Sequence, residues 1–342
     1  MLSLSLIGIS FLIYFAYQTN QAPQLDEQLS AVIAQQNLSS LDPGPPQDPA
    51  QVALGQLLFF DKELSGPRDI ACATCHHPLL HSGDDLSLSI GVGGVGLGYE
   101  RVRAETHPFI PRNAPEIFNR GAPEWNTFFW DGRVQQLPDG FIENPADEDL
   151  PPGLANIVAM QAMFPVTSRE EMRGRRTDPD INGKLNELAA LNDNDFEEIW
   201  DKIMVRLLAI PEYVELFTAV YPDVPPEELH YLHAANALAA FQIEAFSFTD
   251  SPWDQYLAGN TAVLSDEAKQ GALLFYGRAN CATCHSGNLL TDQQFHNLLV
   301  PQLGPGHREN AGYDIGRGRI TDKESDAFRF RTPPLRNVAI TG

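Results

Sequence analysis

Apolar and polar positions fall in blocks along the chain, and the blocks predict its elements before any chemistry is considered. Leu2 to Tyr17 is an almost unbroken apolar run, too short for a comfortable membrane span but suited to a secretory h-region. No Lys or Arg precedes it and no clear Ala-x-Ala site follows. Residues 1–24 therefore read as a signal peptide or an uncleaved N-terminal anchor. Residues 20–50 are rich in Gln, Pro and Asp, and 25–45 reads as a linker. Asp48-Pro49-Ala50 then resembles a helix start, with a capping Asp and Pro in the first turn. It opens a predicted helix from Gln51 to Phe60. Ser265-Asp266-Glu267 caps a second predicted helix, from Ala268 to Tyr276. Gly55-Gln56-Leu57-Leu58-Phe59-Phe60 and Gly271-Ala272-Leu273-Leu274-Phe275-Tyr276 are two versions of one helix, so the chain holds an internal duplication. Between them, Asp195–Ile210 and Pro226–Phe246 show apolar spacing of about 3.6 residues. Pro and Gly punctuate the rest. The expectation is a mainly α chain with long loops and two related domains, 46–250 and 251–342.

Each duplicated helix leads into the same chemical signature. Ala71-Cys72-Ala73-Thr74-Cys75-His76-His77 and Cys281-Ala282-Thr283-Cys284-His285 both contain Cys-x-x-Cys-His, and together they use all four cysteines of the chain. This is the attachment pattern of a c-type haem: two thiols add across the vinyl groups, and the next His lies under the iron. A redox dithiol or half of a zinc site would also use Cys-x-x-Cys. Neither calls for an adjacent His twice. Cys72, Cys75, Cys281 and Cys284 are thus expected to attach two haems c, with His76 and His285 as axial iron ligands. His77 reads as a bystander at the surface. Haem would supply much of each core, giving two cytochrome c-like haem domains.

The charge narrows the partners. With 45 Asp+Glu against 23 Lys+Arg, nucleic acid and anionic membranes are poor partners. Covalent haem attachment implies export, so the working part is expected in the periplasm. Gly91-Val92-Gly93-Gly94-Val95-Gly96 formally matches a dinucleotide fingerprint but lacks the strand–helix context. It reads as a flexible loop beside the first haem. Asp193 and Asp195 are a fragment of a calcium-loop pattern without its Gly, and read better as a helix N-cap.

Further stretches carry a family resemblance. Arg112-Asn113-Ala114-Pro115-Glu116-Ile117-Phe118-Asn119, Phe129-Trp130-Asp131-Gly132-Arg133, Ser251-Pro252-Trp253-Asp254-Gln255-Tyr256-Leu257 and Thr332-Pro333-Pro334-Leu335-Arg336-Asn337-Val338 resemble segments of the bacterial di-haem cytochrome c peroxidase / MauG superfamily. The resemblance covers nearly everything after residue 45. Its Gln-Ala-x-x-Pro-Val-x-x-x-x-Glu-Met pattern is matched by Gln161 to Met172. It implies that Gln161 holds peroxide above the iron of His76 while Glu171 moves its proton, with Glu170 the neighbour most easily confused with Glu171. It also implies that Trp130 relays electrons between the haems. Asn113 would ligate a calcium ion, with Thr341 where a Thr ligand belongs, but the residue two further on is past the end and the set is incomplete. His107 is near where such peroxidases hold a distal His, yet its spacing is off by two residues, so a surface role is expected. The acidic, Pro-rich segment Asp147–Pro152 departs from ordinary peroxidases. Relatives also continue well beyond Gly342 with a His-Asp-Gly motif and a second-haem distal ligand, so the sequence reads as a fragment.

The resemblance implies an enzyme that reduces hydrogen peroxide at haem 1 with electrons passed through haem 2 from a small periplasmic donor, a cytochrome c or a cupredoxin. Two alternatives stay open. One is a MauG-type enzyme that uses peroxide to oxidise residues of a partner protein. The other is a non-catalytic di-haem electron carrier. A homodimer is compatible with any of these.

Overall fold

The computed structural model describes residues 24–302 and 312–341. The apolar run at Leu2–Tyr17 lies outside the described residues. Among them, no helix is long and apolar enough to cross a membrane. The described residues are mainly α with three small antiparallel sheets, and in chain order their segments alternate between two compact units.

The larger unit contains Pro43–Ser247 and Gln293–Arg331, together with the residues from Asn337. The 46–250 and 251–342 boundaries read from the sequence are contiguous, so they do not capture the placement of Gln293–Arg331 beside the first haem motif. Helix α2, Pro49–Phe60, starts as expected: Asp48 accepts hydrogen bonds from the backbone N–H groups of Ala50 and Gln51 at 2.9 and 3.0 Å. It buries Leu54, Leu58 and Phe59 against helix α8, Tyr231–Ala245. The alanines of α8 let the backbones approach closely, and Gly55 makes the approach possible. A Cβ on Gly55 would stand 1.9 Å from the Ala237 carbonyl oxygen. Phe59, Phe241 and Phe246 close this end of the core, with ring centroids 5.2 to 6.0 Å apart.

The predicted helix at Asp195–Ile210 is α6, Phe196–Leu208, which buries Ile199, Trp200, Ile203, Met204 and Leu207. Its expected Asp cap takes another form. Asp195 Oδ2 accepts from the backbone and side-chain N–H of Asn192 at 3.0 Å each, while Asp193 pairs with Arg169 and Arg173. The pattern at Pro226–Phe246 divides. Pro226–Glu228 is a short turn, Leu229 is extended and buried, and α8 restarts where the backbone N–H of His230 donates to His233 Nδ1 at 3.0 Å.

Three strand sets brace the loops. β1 (Gly94–Val95) pairs with β2 (Val102–Arg103), β4 (Val134–Gln136) pairs on one side with β3 (Thr127–Phe128) and on the other with β5 (Ile142–Glu143), and β6 (Phe295–His296) pairs with β7 (Phe330–Arg331). The segment after Trp130 enters the β3–β4–β5 sheet and ends in the turn Asp147–Asp149.

The smaller unit holds the described residues up to Asp42, Phe248–Asp292 and Thr332–Arg336. The expected linker at 25–45 is helical over 24–36. Its cause is the spacing of Leu25 and Leu29, which put one apolar face inward. Asp26 adds an ion pair to Lys269 at 2.8 Å and accepts from the Tyr256 hydroxyl at 2.7 Å. Ser251 and Asp254 cap helix α9, Pro252–Leu257, reciprocally. Buried Asp254 also meets Arg336 at 2.5 Å. Helix α10, Asp266–Tyr276, then leads into the second Cys-x-x-Cys-His.

Candidate functional site

The first motif is a single helical turn, α3, Cys72–Cys75, held at its start by Thr74 Oγ1 accepting from the Ala71 N–H at 3.0 Å. The turn points both thiols into one cavity of about 280 Å³. His76 faces the same cavity, and its Nδ1 lies 3.1 Å from the Ser82 carbonyl. A carbonyl only accepts, so Nδ1 carries the proton and Nε2 keeps its lone pair for a metal. His285 repeats this in the smaller unit, with Nδ1 3.3 Å from the Leu290 carbonyl. His77, expected as a bystander, accepts from the Leu79 N–H at 3.2 Å and so caps the turn that leads to Ser82.

Burial pushes the Cys72 and Cys75 thiols up to about 12. A redox dithiol needs the opposite shift, toward thiolate. Burial also lowers the pKa of His76, which favours the neutral, ligating form.

Across the cavity stand the residues that the resemblance singles out. Gln161 lies on α4, Ile157–Ala162, and lines the cavity with Trp130, Glu170 and Glu171. Glu171 sits on a wide turn, Arg169–Arg173, closed by hydrogen bonds from Arg173 N–H to Ser168 O at 2.8 Å and Gly174 N–H to Arg169 O at 3.1 Å. Such one-turn widenings re-aim a side chain and recur at functional sites. The Arg169 guanidinium staples the turn through the carbonyls of Gly174, Ala189 and Leu191. Burial raises the Glu171 carboxyl above the usual carboxylate range, and Glu170 adds to this, while Arg133 opposes it.

The Gly-rich loop is not the free segment its composition suggests. Buried Arg101 donates to the carbonyls of Ile90, Gly91 and Gly96 at 2.7 to 2.9 Å. A Cβ on Gly91 would stand 1.8 Å from the Glu170 carbonyl, so this loop backs the turn that carries Glu171. Trp130 donates its indole N–H to the Asn113 carbonyl at 3.1 Å. Asn113 lines the cavity, and Thr341 donates its hydroxyl to the Val338 carbonyl at 3.2 Å. His107 turns elsewhere: its Nε2 lies 3.1 Å from Asp178, and it is not part of the cavity wall.

Several residues of the wall had no role in the sequence reading. Arg112 bridges Asp131 at 2.7 Å and Asp314 at 2.6 and 2.8 Å. Glu116 pairs with Arg120 at 2.7 Å, and Arg120 lies 4.0 Å over the Trp125 ring. Tyr231 is 1% exposed, lies on the cavity wall, and its hydroxyl has no hydrogen-bond partner. Arg112 and Asp131 stood inside recognisable segments, but nothing in one sequence signals their pairing with Asp314. The other signal available was a Tyr at the start of the Ala-rich helix.

A family model described as di-haem cytochrome c peroxidase matches residues 49–262, more than half of the chain. The chain belongs to this family. Over 300 residues it is 31% identical to the methylamine utilization protein MauG of Methylorubrum extorquens, covering 87% of this chain and 64% of that one. Over 299 residues it is 31% identical to the cytochrome c peroxidase Ccp of Escherichia coli, covering 86% of this chain and 50% of that one. The chain thus spans half to two thirds of the length of these relatives. A solved MauG-like protein associated with microbial copper homeostasis matches with a TM-score of 0.59 at 25% identity, over 89% of this chain and 76% of that one. The di-haem peroxidase BthA of Burkholderia thailandensis shares the fold, with a TM-score of 0.56 at 21% identity.

Family membership implies haem, and the larger unit fits it. A protonated thiol pair at the attachment spacing, a neutral imidazole with its Nε2 unused by the carbonyl contact, and a buried hydroxyl with no protein partner all border one cavity.

Proposed function

We propose that this chain is a periplasmic di-haem c-type peroxidase, with one haem on Cys72, Cys75 and His76 and the other on Cys281, Cys284 and His285. The observation that carries the reading is the convergence of Cys72, Cys75, His76, Trp130, Gln161 and Glu171 on a single cavity. Haem bound there supplies the iron at which hydrogen peroxide takes up two electrons. The protein supplies the rest. The Gln161 carboxamide orients peroxide by hydrogen bonding. The Glu171 carboxylate takes the proton from one peroxide oxygen and returns it to the other, so that water can leave. Positioned acid–base help of this kind contributes typically about 10² to 10⁴ in rate. Trp130, on the cavity wall with its N–H anchored to Asn113, passes electrons inward from the second haem. A small cytochrome c or cupredoxin delivers them, and with two protons taken from solvent each turnover yields two waters. Asn113 and Thr341 are proposed calcium ligands.

A MauG-type end use, oxidation of residues on a partner protein, is the second reading. It is favoured by the side chain of His107, which engages Asp178 and leaves the cavity without a second His among the described residues.

The test is made on purified holoprotein. Glu171→Gln and Gln161→Leu should each slow the reaction with peroxide by about 10²-fold or more while haem content by pyridine haemochrome stays at two. Wild-type rates in both variants would refute these roles. Electron paramagnetic resonance distinguishes the end uses, since an open, high-spin haem in the fully oxidised protein favours the second. Two permanently low-spin haems unreactive toward peroxide would leave only an electron carrier.

A further inference from the structure

Glu171 does not meet the cavity alone. The Arg133 Nη2 lies 3.3 Å from Glu171 Oε1. The guanidinium carbon is 3.9 Å from the centre of the Phe129 ring, which holds its plane. The Arg133 Nε is buried without a hydrogen-bond partner and lies 3.8 Å from Asp131 Oδ1. Asp131 is itself fixed, 3% exposed and bonded to Arg112, which Asp314 grips from the other side. A line of alternating charge therefore runs Asp314, Arg112, Asp131, Arg133, Glu171, and it ends at the cavity.

We infer that Arg133 is a positioning residue: it holds the Glu171 carboxylate in place and ionised, ready to accept a proton. The inference rests on the reading of Glu171 as proton carrier. Four charged or titratable groups face Glu171: Arg133 and Asp131 after strand β3, Glu170 on its own turn, and the Cys75 thiol across the cavity. Only Arg133 is a cation. Burial, Glu170 and Asp131 all favour the protonated acid; Arg133 opposes them most, and the Ser168 side chain adds a smaller hydrogen-bonding contribution in the same sense. Without Arg133, no cation would face Glu171 from these elements, and the balance would move toward the protonated acid, which has no free carboxylate to collect the peroxide proton. Arg133 and Glu171 are far apart in sequence, and Arg133 lies within the Phe-Trp-Asp-Gly-Arg stretch, so the pairing gives that stretch a chemical purpose beyond its Trp.

The experiment uses holoprotein carrying Arg133→Gln, Arg133→Met or Arg133→Lys. Infrared spectroscopy follows the protonated carboxyl band of Glu171, assigned by its loss in Glu171→Gln. Loss of the cation should raise the titration midpoint by about one to three pH units, and the acid limb of the peroxide reaction should move with it. Arg133→Lys should restore much of the wild-type midpoint. Arg133→Met keeps the packing on Phe129 and serves if the Gln variant does not accumulate. A midpoint unmoved in the charge-deleting variant overturns the inference, as does a rate loss that is the same at every pH. If Glu171→Gln reacts normally with peroxide, the role of Glu171 fails, yet the infrared midpoint still decides whether Arg133 governs its charge.

Discussion

Replacing Gly55 by Ala adds one methyl group at the crossing of α2 and α8. Its Cβ would stand 1.9 Å from the Ala237 oxygen, 2.5 Å from the Ala237 carbonyl carbon and 2.9 Å from Phe241 Cβ. Ordinary contact begins at 3.4 Å, so the helices must separate by about 1.5 Å. The obstacle is helix backbone and cannot swing aside as a flexible side chain could. Overpacking of this kind costs typically 1–3 kcal/mol, and the upper end applies here. Ala regains about 1 kcal/mol of helix propensity, leaving a net loss of about 2 kcal/mol. At roughly 2–4 °C per kcal/mol for a body of this size, the melting temperature should fall by about 4–8 °C. Phe59, on the same helix, lines the haem cavity, so the Soret band should shift as well. The assay is thermal unfolding by circular dichroism on holoprotein. Gly271→Ala is the control, because among the described residues nothing lies within 4 Å of that Cβ position; it should leave the melting temperature unchanged or raise it. Equal responses in the two variants would refute the claim that Gly55 is a packing requirement.

Other outcomes follow from the buried charges. Arg112 and Arg133 overcome burial and hold the Asp131 carboxyl down to about 2, against 3.8 when unperturbed. A depressed carboxyl stabilises fully above its unfolded value, so the contribution should be intact above about pH 4 and be lost between about pH 4 and pH 2. Asp131→Asn should cost roughly 2 kcal/mol at neutral pH, and a melting-temperature gap that did not close on acidification would contradict this. In the smaller unit, Arg336→Ala strands Asp254, which is 2% exposed. The loss should be about 3–5 kcal/mol, read from urea unfolding and relieved in the double variant with Asp254→Asn.

Much of the site was legible because its chemistry is local in sequence. Both Cys-x-x-Cys-His turns announce themselves, and the fixed spacing of Gln161 and Glu171 survives because one short helix and one wide turn carry it. What supports those residues was hidden. The line from Arg112 to Asp314 joins segments from both ends of the chain, and single-sequence periodicity carries no trace of such pairing. Composition misled twice. The glycines at 91–96 suggested mobility, whereas a buried Arg101 binds three of the loop's carbonyls. The glutamines around residue 30 suggested a linker, masking the two leucines that make residues 24–36 a helix.

The alternation of the two units along the chain constrains how the protein matures. Asp314 and Arg331, which brace or line the first haem cavity, are translated after the second Cys-x-x-Cys-His. A chain delivered only as far as that motif would present its first pair of thiols on a scaffold whose last wall has yet to arrive. Gene truncation at the apparent midpoint should therefore yield a polypeptide that can be tagged with porphyrin yet not close around it.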